Sequence, residues 1–99
     1  MKLLQKEEYP YMGQSFTATA RSYHYSIISE DETTATYSYS ADVFLSQQSC
    51  IDYDGTGIEQ TFHEITVPSS TVVSELRDLF TQDMKDNVGE FSEWTLLTV

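Results

Sequence analysis

"TTATYSYSADVFL", residues 33–45, decides the fold. Ala35, Tyr37, Tyr39, Ala41, Val43 and Leu45 alternate with Thr34, Thr36, Ser38, Ser40 and Asp42. A period of two in β-branched and aromatic residues marks a strand with one buried face. Upstream, "SFTATARSYHYSII", residues 15–28, has the same content but changes parity. Phe16, Ala18 and Ala20 share one face, whereas Tyr23, Tyr25 and Ile27 take the other. The switch predicts a bulge near Arg21 and Ser22, or two separately buried ends. Between the two runs lies "SEDE", residues 29–32, which predicts a hairpin. A loop of Glu30, Asp31 and Glu32 sets Tyr25 opposite Tyr37 and Tyr23 opposite Tyr39, stacking aromatics on one face.

Working outward, "IEQTFHEITV", residues 58–67, predicts a third strand, ended by Pro68. From Ser70 to Asp86 the period changes to a helical one. Val72, Val73, Leu76, Leu79 and Phe80 form the apolar stripe, with Glu75, Asp78, Gln82 and Asp86 opposite. Asp83 returns to the centre of that stripe, which predicts a helix that has run past the sheet by then. "EWTLLTV", residues 93–99, is apolar on both faces and reads as an internal strand. Residues 1–13 form an arm or an edge strand, and Pro10 excludes a long helix there. The expected fold is α+β: one domain over residues 1–99, with an antiparallel sheet of about four strands. Its order is strand, strand, strand, helix, strand, with the one amphipathic helix packed on one face.

Composition agrees with a single domain. The 99 residues are 39% apolar, with seven Tyr, five Phe and one Trp, enough for one core. A lone cysteine, Cys50, excludes a disulfide framework and points to a reducing compartment. The N-terminus lacks the apolar region of a signal peptide, and no apolar run is long enough to span a bilayer. The expected location is the cytoplasm. Sixteen acidic residues against five basic ones give a net charge of −11. Such a surface repels nucleic acid and anionic lipid and attracts basic partners; it also serves solubility alone.

Little in the chain reads as chemistry. "CIDYDGTGIEQTFHE", residues 50–64, opens like a calcium loop, with Asp52, Asp54, Thr56 and Gly57 in its first six positions. Glu59 then occupies the apolar position, His63 replaces the bidentate glutamate, and strands rather than helices flank it. The stretch therefore reads as a Gly-rich hairpin turn between strands at about 45 and 58. His24 and His63 lack ligand spacing, and Cys50 precedes acidic residues that disfavour a thiolate. His63 with Glu59 or Glu64 makes a general-base pair of a kind any acidic chain offers. No nucleophile elbow, phosphate loop or paired-cysteine motif is present. The chain reads as non-enzymatic, with no metal and no cofactor.

Two functions from different classes follow. The first is a binding protein that inhibits a nucleic-acid-binding enzyme by presenting carboxylates to its Lys and Arg groups. In size and acidity the chain resembles the small phage-encoded inhibitors of host defence, the anti-CRISPR proteins among them, a likeness of composition. The candidate contact residues are Glu30, Asp31 and Glu32 at the hairpin tip, Asp52 and Asp54 at the second turn, and Glu75, Asp78 and Asp86 on the helix. Tyr9, Tyr11 and Tyr53, in segments without clear periodicity, are the aromatic candidates. Tyr23, Tyr25, Tyr37 and Tyr39 either lie beneath the helix or face solvent as contact residues. The second function is a small ligand-binding domain or accessory subunit whose acidity gives only solubility.

Overall fold

The computed structural model describes all 99 residues. The alternating run forms β4 (Thr34–Phe44), and the rest of the sheet is organised around it. On one edge β4 pairs in full antiparallel register with β5 (Glu59–Pro68), from Thr34↔Pro68 to Val43↔Glu59. On its other edge two strands share its length. β2 (Gln14–Arg21) pairs with residues 42–44, and β3 (Tyr25–Glu30) pairs with residues 35–39. The parity switch thus marks a break at Ser22–His24 that leaves two strands. β1 (Lys2–Tyr11) pairs with β2, and β6 (Thr95–Thr98) pairs with β1. The sheet has six strands, not about four, and every pairing is antiparallel.

Residues 1–13 are therefore neither an arm nor an edge. β1 is bonded on both sides and β6 on one, so the terminal strand is the edge and not internal. Leu3 and Leu4 on adjacent positions of β1 are both fully buried, one towards each face. The β1–β2 hairpin turns at Met12 and Gly13, both at positive φ (48° and 78°), as a type I′ connection requires. A bulge between Lys6 and Tyr9, with Glu8 at φ 56°, bends β1.

The β3–β4 register differs from the expected one. Tyr25 faces Tyr39 and Ile27 faces Tyr37, because the three-residue turn lies one position later, at residues 31–33, and a bulge falls between Ile27 and Ser29. Asp31 holds that turn: its carboxylate accepts from the backbone N–H groups of Thr33 and Thr34, each at 2.8 Å. Tyr25 and Tyr37 nevertheless meet on the same face, their ring centroids 5.7 Å apart.

Helix α2 (Val73–Asn87) covers that face. Its fully buried residues are Leu76, Phe80, Thr81 and Met84. Phe80 stacks on Tyr39 at 5.0 Å and lies 5.5 Å from both Tyr25 and Tyr37. Those three tyrosines are thus the layer beneath the helix. Val72 and Val73 do not join it: they stay exposed at the helix start, Val73 to 71%. Nor has the helix run past the sheet at Asp83. Its carboxylate accepts from the Tyr39 hydroxyl at 2.6 Å and from the Asn87 amide at 2.6 Å. A 3-10 turn (Gly89–Phe91) then brings Phe91 and Trp94 against the same core. No helix is long and apolar enough to cross a membrane.

The opposite face is covered at one end by a short helix not expected from the sequence, α1 (Gln47–Asp52). Ser46 caps it by accepting from the Ser49 N–H at 3.1 Å. Its Cys50 joins Leu3 and Phe44 of the sheet in a second small core, packed by Tyr23 and Ile51. Burial pushes the Cys50 thiol up to about 12, so the residue packs as a small apolar group.

Leu76→Ala and Phe80→Ala should each cost roughly 2–5 kcal/mol, as buried truncations do, read from urea midpoints. Tyr39→Phe should cost roughly 1–3 kcal/mol through the lost bond to the Asp83 carboxylate. Burial and Asp83 raise the Tyr39 phenol above its ordinary 10.0. The stabilisation is complete below the unfolded value and is lost as pH rises through the folded one. The stability difference between parent and Tyr39→Phe should therefore shrink between about pH 7 and about pH 11. A constant difference would place the phenol outside this bond.

Candidate functional site

The break between β2 and β3 exposes backbone groups that a continuous ladder would satisfy. Two side chains of β4 satisfy them. Ser40 Oγ accepts from the N–H groups of Tyr23 (3.3 Å) and His24 (2.9 Å), and donates to Asp42 at 2.6 Å. The Asp42 carboxylate accepts from the Tyr23 N–H at 3.2 Å and from Gln60 Nε2 at 2.6 Å. Asp42 is 4% exposed, the one fully buried carboxylate of the chain. No cation pairs with it. Arg21, its direct partner in the ladder, turns its guanidinium to Asp78 (3.9 Å) and over the Tyr23 ring (5.1 Å).

Asp42 lines a cleft of about 290 Å³ between the end of β4, the loop after α1 and the start of β5. Phe44 and Tyr53 supply aromatic walls, 6.1 Å apart at 72°. Gly55, Gly57 and Ile58 form the loop side, and Glu59 and Gln60 the β5 side. Tyr53 caps α1 in the left-handed region (φ 47°), an uncommon conformation for a bulky residue. Its ring packs on Tyr23 at 4.5 Å, and its hydroxyl bonds to His24 Nε2. These contacts fix the ring as a wall of the cleft.

The stretch that resembles a calcium loop thus runs from the last turn of α1 through the cleft rim at residues 53–58 into β5. β4 and β5 are the antiparallel neighbours expected of a hairpin, but a helix and a loop join them where a turn alone was expected. Asp52 accepts from Gln48 Nε2 at 2.9 Å. Asp54 accepts from the Thr56 hydroxyl and, at 3.0 Å, from its N–H, which holds its carboxyl below the usual carboxylate range. No three His, Cys, Asp or Glu side chains converge as metal ligands would.

The other candidate residues lie apart. Glu30, Asp31 and Glu32 are exposed at the β3–β4 tip, where the bonds from Thr33 and Thr34 lower the Asp31 carboxyl. Glu75 and Asp86 are exposed on α2. Asp78 does not belong to that outer face. It accepts from the Lys2 N–H at 2.9 Å and forms the Arg21 ion pair, so it ties the helix to β1 and β2. Tyr9 and Tyr11 lie in β1 rather than in an irregular segment. Tyr9 packs on Trp94 at 5.8 Å and Tyr11 on Phe16 at 6.4 Å, both half-buried. Of the three aromatic candidates only Tyr53 is exposed.

A carboxylate pair invisible in the sequence forms where Glu90, after α2, meets Glu59 of β5. Partial burial and the Glu59 charge raise the Glu90 carboxyl. Tyr9 donates to Glu59 at 3.3 Å, and Thr61 bonds His63 Nε2 at 2.9 Å beside them. Glu59 and Glu90 are 31 positions apart in the chain, so no spacing rule could pair them. No protein-family model, curated protein or solved structure matches the chain.

Two outcomes test this geometry. Asp42→Ala should cost roughly 1–3 kcal/mol, because the Tyr23 N–H and Ser40 and Gln60 donors lose their acceptor; an unchanged urea midpoint would contradict the clasp. Glu90→Gln should raise the melting temperature at about pH 7 and leave it unchanged at about pH 4. A group with a raised folded value stabilises only where protonated, so its ionised form is the one that costs stability.

Proposed function

We propose that this chain is a non-enzymatic inhibitor whose carboxylates dock on the basic, nucleic-acid-binding surface of a partner protein, in the manner of the anti-CRISPR proteins it resembles in size and acidity. The observation that supports the reading is that its charge is left uncompensated. Among sixteen acidic residues, Asp42 is buried and Asp78 and Asp83 are half-buried; the remaining thirteen are exposed. The whole molecule contains one ion pair, Arg21–Asp78. Its few cations do not neutralise the rest. Arg77 and Lys85 donate to the carbonyls of Tyr23 and Ser92, and Lys2 to the Gln82 amide.

A solubility coat would be served as well by mixed charges, which destabilise a fold less through self-repulsion. An array of unpaired carboxylates matches what Lys and Arg groups on a phosphate-binding surface accept. At 49 × 25 × 21 Å the molecule is long enough to lie along an extended basic groove. Glu30, Asp31 and Glu32 sit at one tip, Asp52 and Asp54 on the cleft rim, and Glu75 and Asp86 along the helix.

The test is displacement. The chain is immobilised, bound proteins are eluted from host lysate by salt, and each is loaded with a fluorescent duplex or single strand. The free chain should lower the fluorescence anisotropy as nucleic acid is released, less so as salt rises above about 0.1 M. Neutralising Glu30, Asp31 and Glu32, or Asp52 and Asp54, to Asn and Gln should slow association more than it speeds dissociation. Salt-insensitive capture of proteins that bind no nucleic acid, with all variants equal to the parent, would refute the reading.

A further inference from the structure

We propose that the cleft between β4, the loop after α1 and β5 is a receptor for the guanidinium group of an arginine side chain. The inference rests on the proposed docking to a basic surface and names its specific contact. The first argument is the state of Asp42. A carboxylate offers about four acceptor positions. Tyr23, Ser40 and Gln60 fill three, two on one oxygen and one on the other, and all three donors are neutral. The charge is 4% exposed and has no counter-ion in the molecule. Neutral donors offset only part of the cost of burying a charge, so a cation is the group most strongly favoured in the adjoining space.

The walls select the kind of cation. Phe44 and Tyr53 flank the cleft, and a planar guanidinium gains from lying against aromatic faces. Its donors point in fixed, spread directions, which lets one N–H meet the acceptor position of Asp42 that stays free while the others face the cleft mouth. A compact ammonium has no flat face for these rings and is more strongly hydrated. The volume of about 290 Å³ admits the head of one side chain rather than a large ligand. The site is also held ready. Tyr53 is fixed by Tyr23 and His24, and Asp42 by its three donors, so little ordering remains to oppose binding.

Gly57 provides a test that leaves charge untouched. It lines the cleft, and a Cβ there would meet the Phe44 ring at 3.5 Å, an ordinary contact. Gly57→Leu should fill the cleft without straining the backbone. The full-length ¹⁵N-labelled protein is titrated with N-acetyl-arginine methylamide at about 0.1 M salt, where exposed charges are screened. The amide shifts should saturate and be confined to residues 42–44 and 53–60. N-acetyl-lysine methylamide should bind several-fold more weakly, and the neutral citrulline derivative should give no saturating shifts. Asp42→Asn and Gly57→Leu should each weaken arginine binding at least tenfold, and Glu59→Gln should weaken it less. Should Asp42→Asn fail to fold, Gly57→Leu and the lysine and citrulline probes carry the test. Shifts that grow linearly and spread over Glu30, Glu75 and Asp86 would show only a general acidic atmosphere and overturn the site. So would equal binding by Gly57→Leu, or lysine bound as well as arginine. The probe involves no partner protein. Saturation here without displacement of nucleic acid from any partner would leave the cleft standing and refute the inhibitor reading; displacement retained by Gly57→Leu would do the reverse.

Discussion

The bond set joining Ser40 and Asp42 to Tyr23, His24 and Gln60 holds this architecture together. One segment, residues 14–30, must serve β4 with two strands of opposite facing. That requires a break, and a break in the middle of a sheet leaves backbone N–H groups without ladder partners. Ser40 and Asp42 replace those partners from the polar face of β4. The Gln60 amide extends the same set to β5, so β4, β5 and the β2–β3 break meet at one buried carboxylate. Removing that carboxylate would strand donors on two of them, a larger effect than the loss of any one bond.

The helix face shows how a polar group is accommodated in an apolar stripe. Asp83 sits where a leucine would be expected, and the tyrosine layer beneath supplies the compensation. Tyr39 is fully buried, stacks on Phe80 and gives its hydroxyl to Asp83. A phenylalanine at 39 would pack as well but leave the carboxylate short of a donor. A leucine at 83 would leave the phenol without its acceptor. The pair holds α2 in register over β4, and the Lys2 and Arg21 contacts to Asp78 do so over β1 and β2. Three of the sixteen carboxyl groups, Asp42, Asp78 and Asp83, are thus spent on architecture.

The remaining acids act on the surface. Several have local tasks that do not consume their charge. Asp31 and Asp54 cap their own turns, and Asp52 and Asp86 accept from glutamine amides one helical turn away. A carboxylate held by neutral donors keeps a fixed direction and has no counter-ion, whereas one in an ion pair is partly neutralised. Glu59 and Glu90 represent the opposite condition, two like charges brought together by the fold at some cost.

Some of this was legible in the chain. The period of two in residues 33–45 identified β4 and the face it turns to α2, but not that the second half of the strand, through Ser40, Asp42 and Phe44, is buried on the other face as well. The change of period after Pro68 located α2 to within a few residues at its start and one at its end. The parity switch at Arg21–Ser22 signalled an irregularity, expected as a bulge or two separately buried ends of one strand; the structure resolves it as a break between two strands. Composition gave the acidity and the lone cysteine. What the chain did not determine was partnership. Edge and interior strands differ in their neighbours, not in their own pattern, so β1 and β6 exchange roles relative to expectation. The short α1 helix rests on a Ser46 cap and one buried Cys50 over Phe44, too few residues for a periodic signal. Asp78 and Asp83 look like outer or overhanging acids until Arg21 and Tyr39 are placed beside them. The cleft joins Asp42 and Phe44 to Tyr53 and Gly57–Gln60, and the Glu59–Glu90 pair spans two elements. Only tertiary structure creates such sites, because they depend on distances between segments that no local spacing encodes.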